Sequence, residues 1–294
     1  MKKSYKSNII LVFLILILTL YLVNSKLTTN AILEYTNLYV TKLFPSSFTI
    51  FIITNLILNY NPVKHISKIT KKPANLYILL ISMISGFPGG PKNISLLYKQ
   101  NYIAKTTANY LLKSTHYPNP LFVLGPISIL LNSKKTAIKI LFSLIISNLI
   151  IYTKHYKNYE QSYLPEIKQK TFSESLSFAI VESAKLQILI YGTNIFFYLI
   201  SITLTNIIQT SPIFYVLING FFDLTKGIFS VSILNSELLK SLLVLSFISF
   251  GSISLHIQIK SILMDAKLSY KSFIQGRLIT TILSIIIFLI LNSF

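Results

Sequence analysis

The stretch SGFPGGPKNI (Ser85–Ile94) holds two prolines, three glycines and a lysine. It cuts an apolar segment in two, with LYILLISMI (Leu76–Ile84) before it and ISLLY (Ile94–Tyr98) after it. Proline removes a backbone donor, and glycine adopts conformations closed to other residues, so a helix entering from Leu76 must stop here. A lysine in so apolar a setting costs about 3 kcal/mol or more at bilayer depth and calls for a partner or a job. The stretch reads as a turn between two half-helices, each too short to cross a bilayer of about 30 Å.

The rest of the chain supports a membrane setting. Its 294 residues are 52% hydrophobic and only 12% charged, with a mean hydropathy of +0.64, whereas soluble domains carry roughly 25% charged residues. Asn8–Val23, Ile138–Tyr152 and Leu278–Phe294 are apolar runs approaching the roughly 20 residues of a spanning helix. The expected class is an all-α polytopic membrane protein. The formal charge of +19 resides mostly in lysines of short loops between apolar runs, as the positive-inside rule describes. It forms no basic stripe with interleaved aromatics, so nucleic acid is not an expected partner. With no cysteine, the chain has no disulfide, thiolate metal site or cysteine nucleophile. The basic, then apolar N-terminus is shaped like a signal peptide, but VNSKL lacks a small-x-small cleavage site, and an uncleaved first span is preferred.

Along the chain, Asn30–Phe44 reads as a weakly amphipathic interfacial helix with Ile32, Leu33, Thr36, Leu38, Val40 and Leu43 on its mixed face. Pro45 opens the next span. A basic loop follows with Lys64, Lys68, Lys71 and Lys72, then the interrupted segment itself. Ile103–Ser114 is expected to be a helix broken at THYPNP (Thr115–Pro120) and continued to Leu131. A span runs to Tyr152, and a second basic loop carries Lys154, Lys157, Lys168 and Lys170. Thr171–Leu186 reads as an amphipathic helix and Gln187–Ile207 as a span. Ser211–Leu234 reads as two half-spans around a polar break, Leu238–Met264 as a helix interrupted at SFGS (Ser249–Ser252), and Phe273–Phe294 as the last span.

This order repeats. A constant offset of 134 residues lays Lys92 on Lys226, Gly86 on Gly220, Phe87 on Phe221 and Ile94 on Ile228. It also superposes the THYPNP and SFGS breaks and the spans that follow them. If the two glycine-containing hairpins are re-entrant, the loops at Lys64–Lys72 and Lys154–Lys170 and the Lys267–Lys271 turn all fall inside, as the positive-inside rule requires. The two halves then have inverted topology, as in many secondary transporters. The expected organisation is an N-terminal span (1–28), a first repeat (29–153), a basic cytoplasmic linker (154–170) and a second, inverted repeat (171–294).

Candidate site residues follow from the breaks, because irregular backbone at membrane depth must be buried in protein or line a cavity. They are Gly86, Gly89, Gly90, Lys92 and Asn93 at the first tip, Asn119 between two prolines, Lys226 at the second tip, and His256 and Gln258 after the second break. Asp223 and Thr225 are the candidate ion-coupling or structural pair. Each has a plainer reading. Lys92 snorkels to the interface, Asp223 and Lys226 neutralise one another, His256 is a packed core residue, Asn119 is a helix cap, and Gly251 and Ser252 allow close packing. Glu34, Glu182 and Arg277 read as interfacial. No catalytic motif stands in a plausible context, so no enzyme activity, metal or cofactor is expected.

At these residues the chain resembles the sporulation integral membrane proteins of the YlbJ type, which carry Gate (nucleoside-recognition) domains. GFPGGPK fits the family pattern G-[YF]-P-x-G-[AP]-K, NPLFVLGPIS (Asn119–Ser128) resembles SPLFIxGxVG, DLTKG (Asp223–Gly227) resembles E-x-T-x-G, and FGSISLHIQ (Phe250–Gln258) resembles FGGLSVHxQ. The chain departs from the pattern with Asp at 223, Ser at 252 and Ile at 127. The resemblance implies a core similar to that of concentrative nucleoside transporters, with two re-entrant hairpins and two broken helices. It also implies a role in endospore formation, moving dipicolinate by alternating access around a site between the tips. A nucleoside or other small-solute carrier and a non-transporting sporulation scaffold are the alternatives. The expected partners are a small anionic solute and membrane lipid, with homo-oligomerisation left open. The expected location is the bacterial cytoplasmic membrane, multi-pass, or a forespore membrane.

Overall fold

The computed structural model describes residues 2–160, 163–164, 171–208 and 210–293; Lys168 and Lys170 of the second basic loop lie outside them. Among the described residues there is no strand. Among the described residues four helical segments, Lys134–Asn158, Phe172–Ile207, Glu237–Asp265 (interrupted at Gly251) and Tyr270–Asn292, are long and apolar enough to cross a membrane. A fifth span arises if Asn8–Val23 and Ser25–Leu43, bent by 95° at Asn24, are counted together. Ile9, Val12, Leu18 and Leu22 on the first helix are all exposed, as a lipid-facing span requires.

The first hairpin pairs Pro73–Ser85 with Gly89–Lys99. At 1.5 Å per residue these 13 and 11 residues reach about 20 and 17 Å, short of the bilayer core. Gly86 ends the first half with a φ of +67°, a conformation that excludes a side chain. The hairpin leaves and returns to one end of the bundle, since Tyr102 Oη donates to Asn61 Oδ1 across its base (2.9 Å). The first interrupted helix follows: Lys105–Leu111, an extended stretch, then Pro120–Phe122 running through a wide turn containing Pro126 to Leu130. Lys134–His155 completes this half.

The second half has the same order: Pro212–Phe222 paired with Leu224–Ser230, then Glu237–Phe250 and Ile253–Asp265 parted at Gly251, then Tyr270–Asn292. The offset of 134 is not kept at the hairpin tips. Gly86 breaks its helix, but Gly220 lies inside one and the second break falls at Asp223. Gly220 instead serves packing, with its Cα against Gly227 and the Phe247 ring over it.

Three of the basic loops meet at the same end of the bundle. Lys72 Nζ donates to the Tyr156 carbonyl (2.8 Å) and lies 4.6 Å from the centre of that residue's ring. The Ser269 amide donates to Asn109 Oδ1 (3.0 Å), bringing in the Lys267–Lys271 turn.

Two expectations are corrected. Thr171–Leu186 and Gln187–Ile207 are one continuous 36-residue helix, Phe172–Ile207, opened by a Thr171–Glu174 capping box. No proline or other breaker stands at the supposed joint, so nothing stops the helix there. The segment from Asn30 packs on a face other than the one read from the sequence. Its packed face is Ala31, Tyr35 and Tyr39, set against Tyr198 and Leu199 of the long helix, while Leu33 and Val40 are exposed. The aromatic rings at every fourth position outweigh the aliphatic residues in choosing the buried face. That helix passes through a wide turn at Tyr39–Leu43 into Phe44–Asn59, with Pro45 tolerated in the first turn.

Candidate functional site: a cavity where four half-helices begin

The second half of each hairpin and of each interrupted helix starts at the wall of one cavity. It has a volume of about 90 Å³, room for on the order of six waters. Phe87 and Pro88 reach it from the first tip, Leu224 and Thr225 from the second. Asn119 and Phe122 come from the first interrupted helix, and Ser254, Leu255 and Gln258 from the second. These residues precede or open the helices that start at Gly89, Leu224, Pro120 and Ile253. A helix N-terminus carries free N–H groups and roughly half a positive charge. Asn119 Oδ1 caps its helix by accepting from the Leu121 amide (2.9 Å), while its Nδ2 is buried without a partner. The cap reading of Asn119 therefore holds for one atom and leaves a spare donor at a cavity-lining residue.

The remaining wall comes from residues that the sequence reading did not single out. Tyr39, Ser47 and Asn194 line the cavity. Tyr39 Oη donates to the Gln187 carbonyl (3.0 Å) and to Gln187 Oε1, and Gln187 Nε2 donates to Ser47 Oγ (2.7 Å). Gln258 Nε2 donates to Asn194 Oδ1 (2.6 Å). On the long helix, Ser183, Gln187, Asn194 and Ser201 are all buried. Their spacings of 4, 7 and 7 residues put them on one face of an otherwise apolar helix. That polar stripe was the available signal.

Among the described residues no charged side chain lines this cavity. The tip lysines turn elsewhere. Lys92 Nζ donates to the Glu182 carbonyl (3.3 Å), and Lys226 Nζ pairs with Glu34 Oε1 (3.4 Å) over the Tyr198 ring. The predicted tip glycines serve packing. A side chain on Gly86 would strike the Asn119 backbone, one on Gly90 the Thr115 carbonyl and one on Gly89 the Ser85 hydroxyl. Asn93 is buried beside the first tip, off the cavity wall, with Oδ1 unpartnered. His256 is the core residue of the plainer reading: Tyr270 Oη lies 2.8 Å from its Nδ1, and Phe250 and Phe273 flank its ring.

Asp223 lies just behind the wall, fully buried. Its Oδ1 accepts from the Lys226 amide (2.8 Å), and Tyr35 Oη and Ser254 Oγ approach Oδ2 at 3.5 Å. It does not pair with the Lys226 ammonium as the spacing suggested. Among the described residues no ion pair reaches it. Arg277 is likewise not interfacial. It is fully buried, held by the carbonyls of Lys113, His116 and Ser249 and by Asn148 Oδ1.

Four to five apolar segments of membrane length define a multi-pass integral membrane protein. The chain is 22% identical over 288 residues, 80% of this chain and 70% of the relative, to the sporulation integral membrane protein YlbJ of Bacillus subtilis (strain 168). That similarity supports a YlbJ-type family for the chain. No family model matches the chain, and no solved structure does.

Proposed function

We propose that the chain is a Gate-type transporter of a small organic anion, dipicolinate, acting in endospore formation by alternating access. The observation that carries this reading is the convergence of four half-helix N-termini on one cavity whose largely apolar wall carries a few amide and hydroxyl groups. A free terminus favours an anion by about 0.3–1 kcal/mol, up to about 2 where partly buried; the one at Leu224 is already capped by the Asp223 carboxylate, which leaves the termini at Gly89, Pro120 and Ile253 for a solute. Broken helices with their positive ends at an anionic substrate group are a recurring transporter device. The helix ends thus take the role that the sequence reading gave to Lys92 and Lys226. Asn119 Nδ2, Asn194, Gln258 and Thr225 supply directional hydrogen bonds. Asp223, a buried carboxylate beside Thr225 and Ser254, is the candidate for coupling to a cation or proton. Dipicolinate itself is an inference from the family resemblance, and the helix ends support only its charge class.

In this reading the halves 29–153 and 171–294 are inverted repeats, and the basic end of the bundle faces the cytoplasm. The rocking of one half against the other opens the cavity to each side in turn. A nucleoside is the second reading. It is favoured by the uncharged amides of Asn119, Asn194 and Gln258 beside the rings of Phe87, Phe122 and Tyr39. The test is the melting temperature of the purified protein in detergent. Dipicolinate is expected to raise it and nucleosides are not. A rise with nucleosides alone supports the second reading, and a scaffold responds to neither.

A further inference from the structure

A second concavity, of about 290 Å³, opens on the flank of the bundle between Gly89–Lys99, the long helix and Ile253–Asp265. Lys92, Lys99 and Lys185 line it together with Glu182 and Asp265. Four of these five charges are spent in pairs: Lys99 with Asp265, and Lys185 with Glu182 (2.7 Å). Lys92 has no carboxylate within ion-pair distance among the described residues, and its ammonium rests on the Glu182 carbonyl. Beside it Ser95 lines the same groove. Its residue is 5% exposed, and its buried hydroxyl has no hydrogen-bond partner. A cation whose carboxylate neighbour, Glu182, is already paired with Lys185, and a hydroxyl without an acceptor, can both take an anionic oxygen.

The rest of the groove indicates what carries that oxygen. Leu96, Leu186, Leu189 and Ile262 supply an apolar wall. Ile188 and Val181 on the long helix and Met264 beside Asp265 are exposed, as on a lipid-facing surface. The groove lies at the ends of two helices, Lys99 and Asp265, next to the lysine-bearing turn at 267–271. Basic pockets between membrane helices on the lysine-rich side recruit anionic lipid headgroups.

We propose that this groove binds the phosphodiester headgroup of an anionic phospholipid. Lys92 and Ser95 hold the phosphate, Lys99 and Lys185 stand at the rim, and the leucines meet the first acyl carbons. The site is independent of what the central cavity carries.

The experiment is native mass spectrometry of the full chain released from nanodiscs of equal phosphatidylglycerol and phosphatidylcholine. The wild type is expected to retain phosphatidylglycerol preferentially. Lys92→Gln is expected to lower that retention roughly tenfold or more, the scale of a charge-assisted hydrogen bond. Ser95→Ala, a smaller change at a site that keeps its charge, is expected to lower it severalfold. Both variants are first checked for a wild-type elution volume, and Lys185→Gln, on the rim, serves as a further probe if Lys92→Gln does not fold. Equal retention of the two lipids overturns the proposal. Retention unchanged in the folded variants does so too. Displacement of the lipid by millimolar inorganic phosphate or dipicolinate also overturns it, because the groove is then a soluble-anion site.

Discussion

Arg277 Nη2 donates to the carbonyl of Lys113 at 3.1 Å, joining the last helix to the first interruption. The same guanidinium faces the carbonyls of His116 (3.5 Å) and Ser249 (3.4 Å) and Asn148 Oδ1 (3.3 Å). Lys113 and Ser249 stand at the C-terminal ends of the first halves of the two interrupted helices, where carbonyls lack helical partners and the dipole is negative. The chain's single arginine is therefore a built-in cation bracing both breaks.

Arg277→Lys keeps the charge but cannot reach four acceptors with one ammonium. We expect both Arg277→Lys and Arg277→Gln to lower stability. Each leaves buried carbonyls unsatisfied at about 1–3 kcal/mol apiece, read as a clear drop in melting temperature in detergent. A wild-type melt for Arg277→Gln contradicts the bracing role.

Gly227 packs against the backbone of Gly220, so that the two helices of the second hairpin touch directly. Gly227→Ala must push them apart and is expected to cost about 1–3 kcal/mol. Gly192, inside the long helix, has open space where a Cβ would go. Gly192→Ala is expected to stabilise by up to about 1 kcal/mol through helix propensity. Thermal melts of the two variants should move in opposite directions.

Asp223 and Lys226 are three residues apart in sequence yet use different partners, with Asp223 capping through the Lys226 amide and the Lys226 ammonium reaching Glu34. A double-mutant cycle between Asp223→Asn and Lys226→Gln is expected to show little coupling. The cycle between Glu34→Gln and Lys226→Gln should give at most about 1 kcal/mol, because Glu34 is largely exposed. Asp223→Asn keeps an acceptor for the cap. It is expected to stay folded and to lose transport if the carboxylate carries the coupling charge. Full uptake by a folded Asp223→Asn protein removes that role.

The contact of Lys72 with Tyr156 puts two basic loops at one end of the bundle. Lys68→Cys and Asn158→Cys, both exposed positions in a chain without cysteine, should react alike with an impermeant thiol reagent. In intact cells neither should be labelled, and both should be after permeabilisation. Labelling of only one in intact cells is incompatible with the shared face.

The breaks were legible because proline and glycine act locally. GFPGGP, THYPNP and the glycine at 251 mark three interruptions directly, and the fourth, at Asp223, was found through a polar interval in an apolar run. What the side chains do at the breaks was not legible. Lys92 and Lys226 stand near the tips in sequence, but a long side chain on a helix can point to either flank, and the long helix supplies Glu182 and the short N-terminal one Glu34. Burying a lone guanidinium is costly, so the sequence offers no sign that Arg277 is buried. The carbonyls that balance it come from two distant breaks that only the fold brings together. The polar stripe on the long helix was legible by spacing but was hidden when that helix was divided at Gln187.

In the proposed function the cavity between the tips carries a small organic anion across the membrane. The most direct test is uptake of labelled dipicolinate by proteoliposomes containing the purified chain, alongside Asn119→Ala and Gln258→Ala. Saturable uptake above protein-free vesicles is expected for the wild type. Each variant, having lost a hydrogen bond to a charged ligand worth about 1.5–3 kcal/mol, should need very roughly 10- to 100-fold more solute. Uptake indistinguishable from empty vesicles, or equal in the wild type and both variants, contradicts the account.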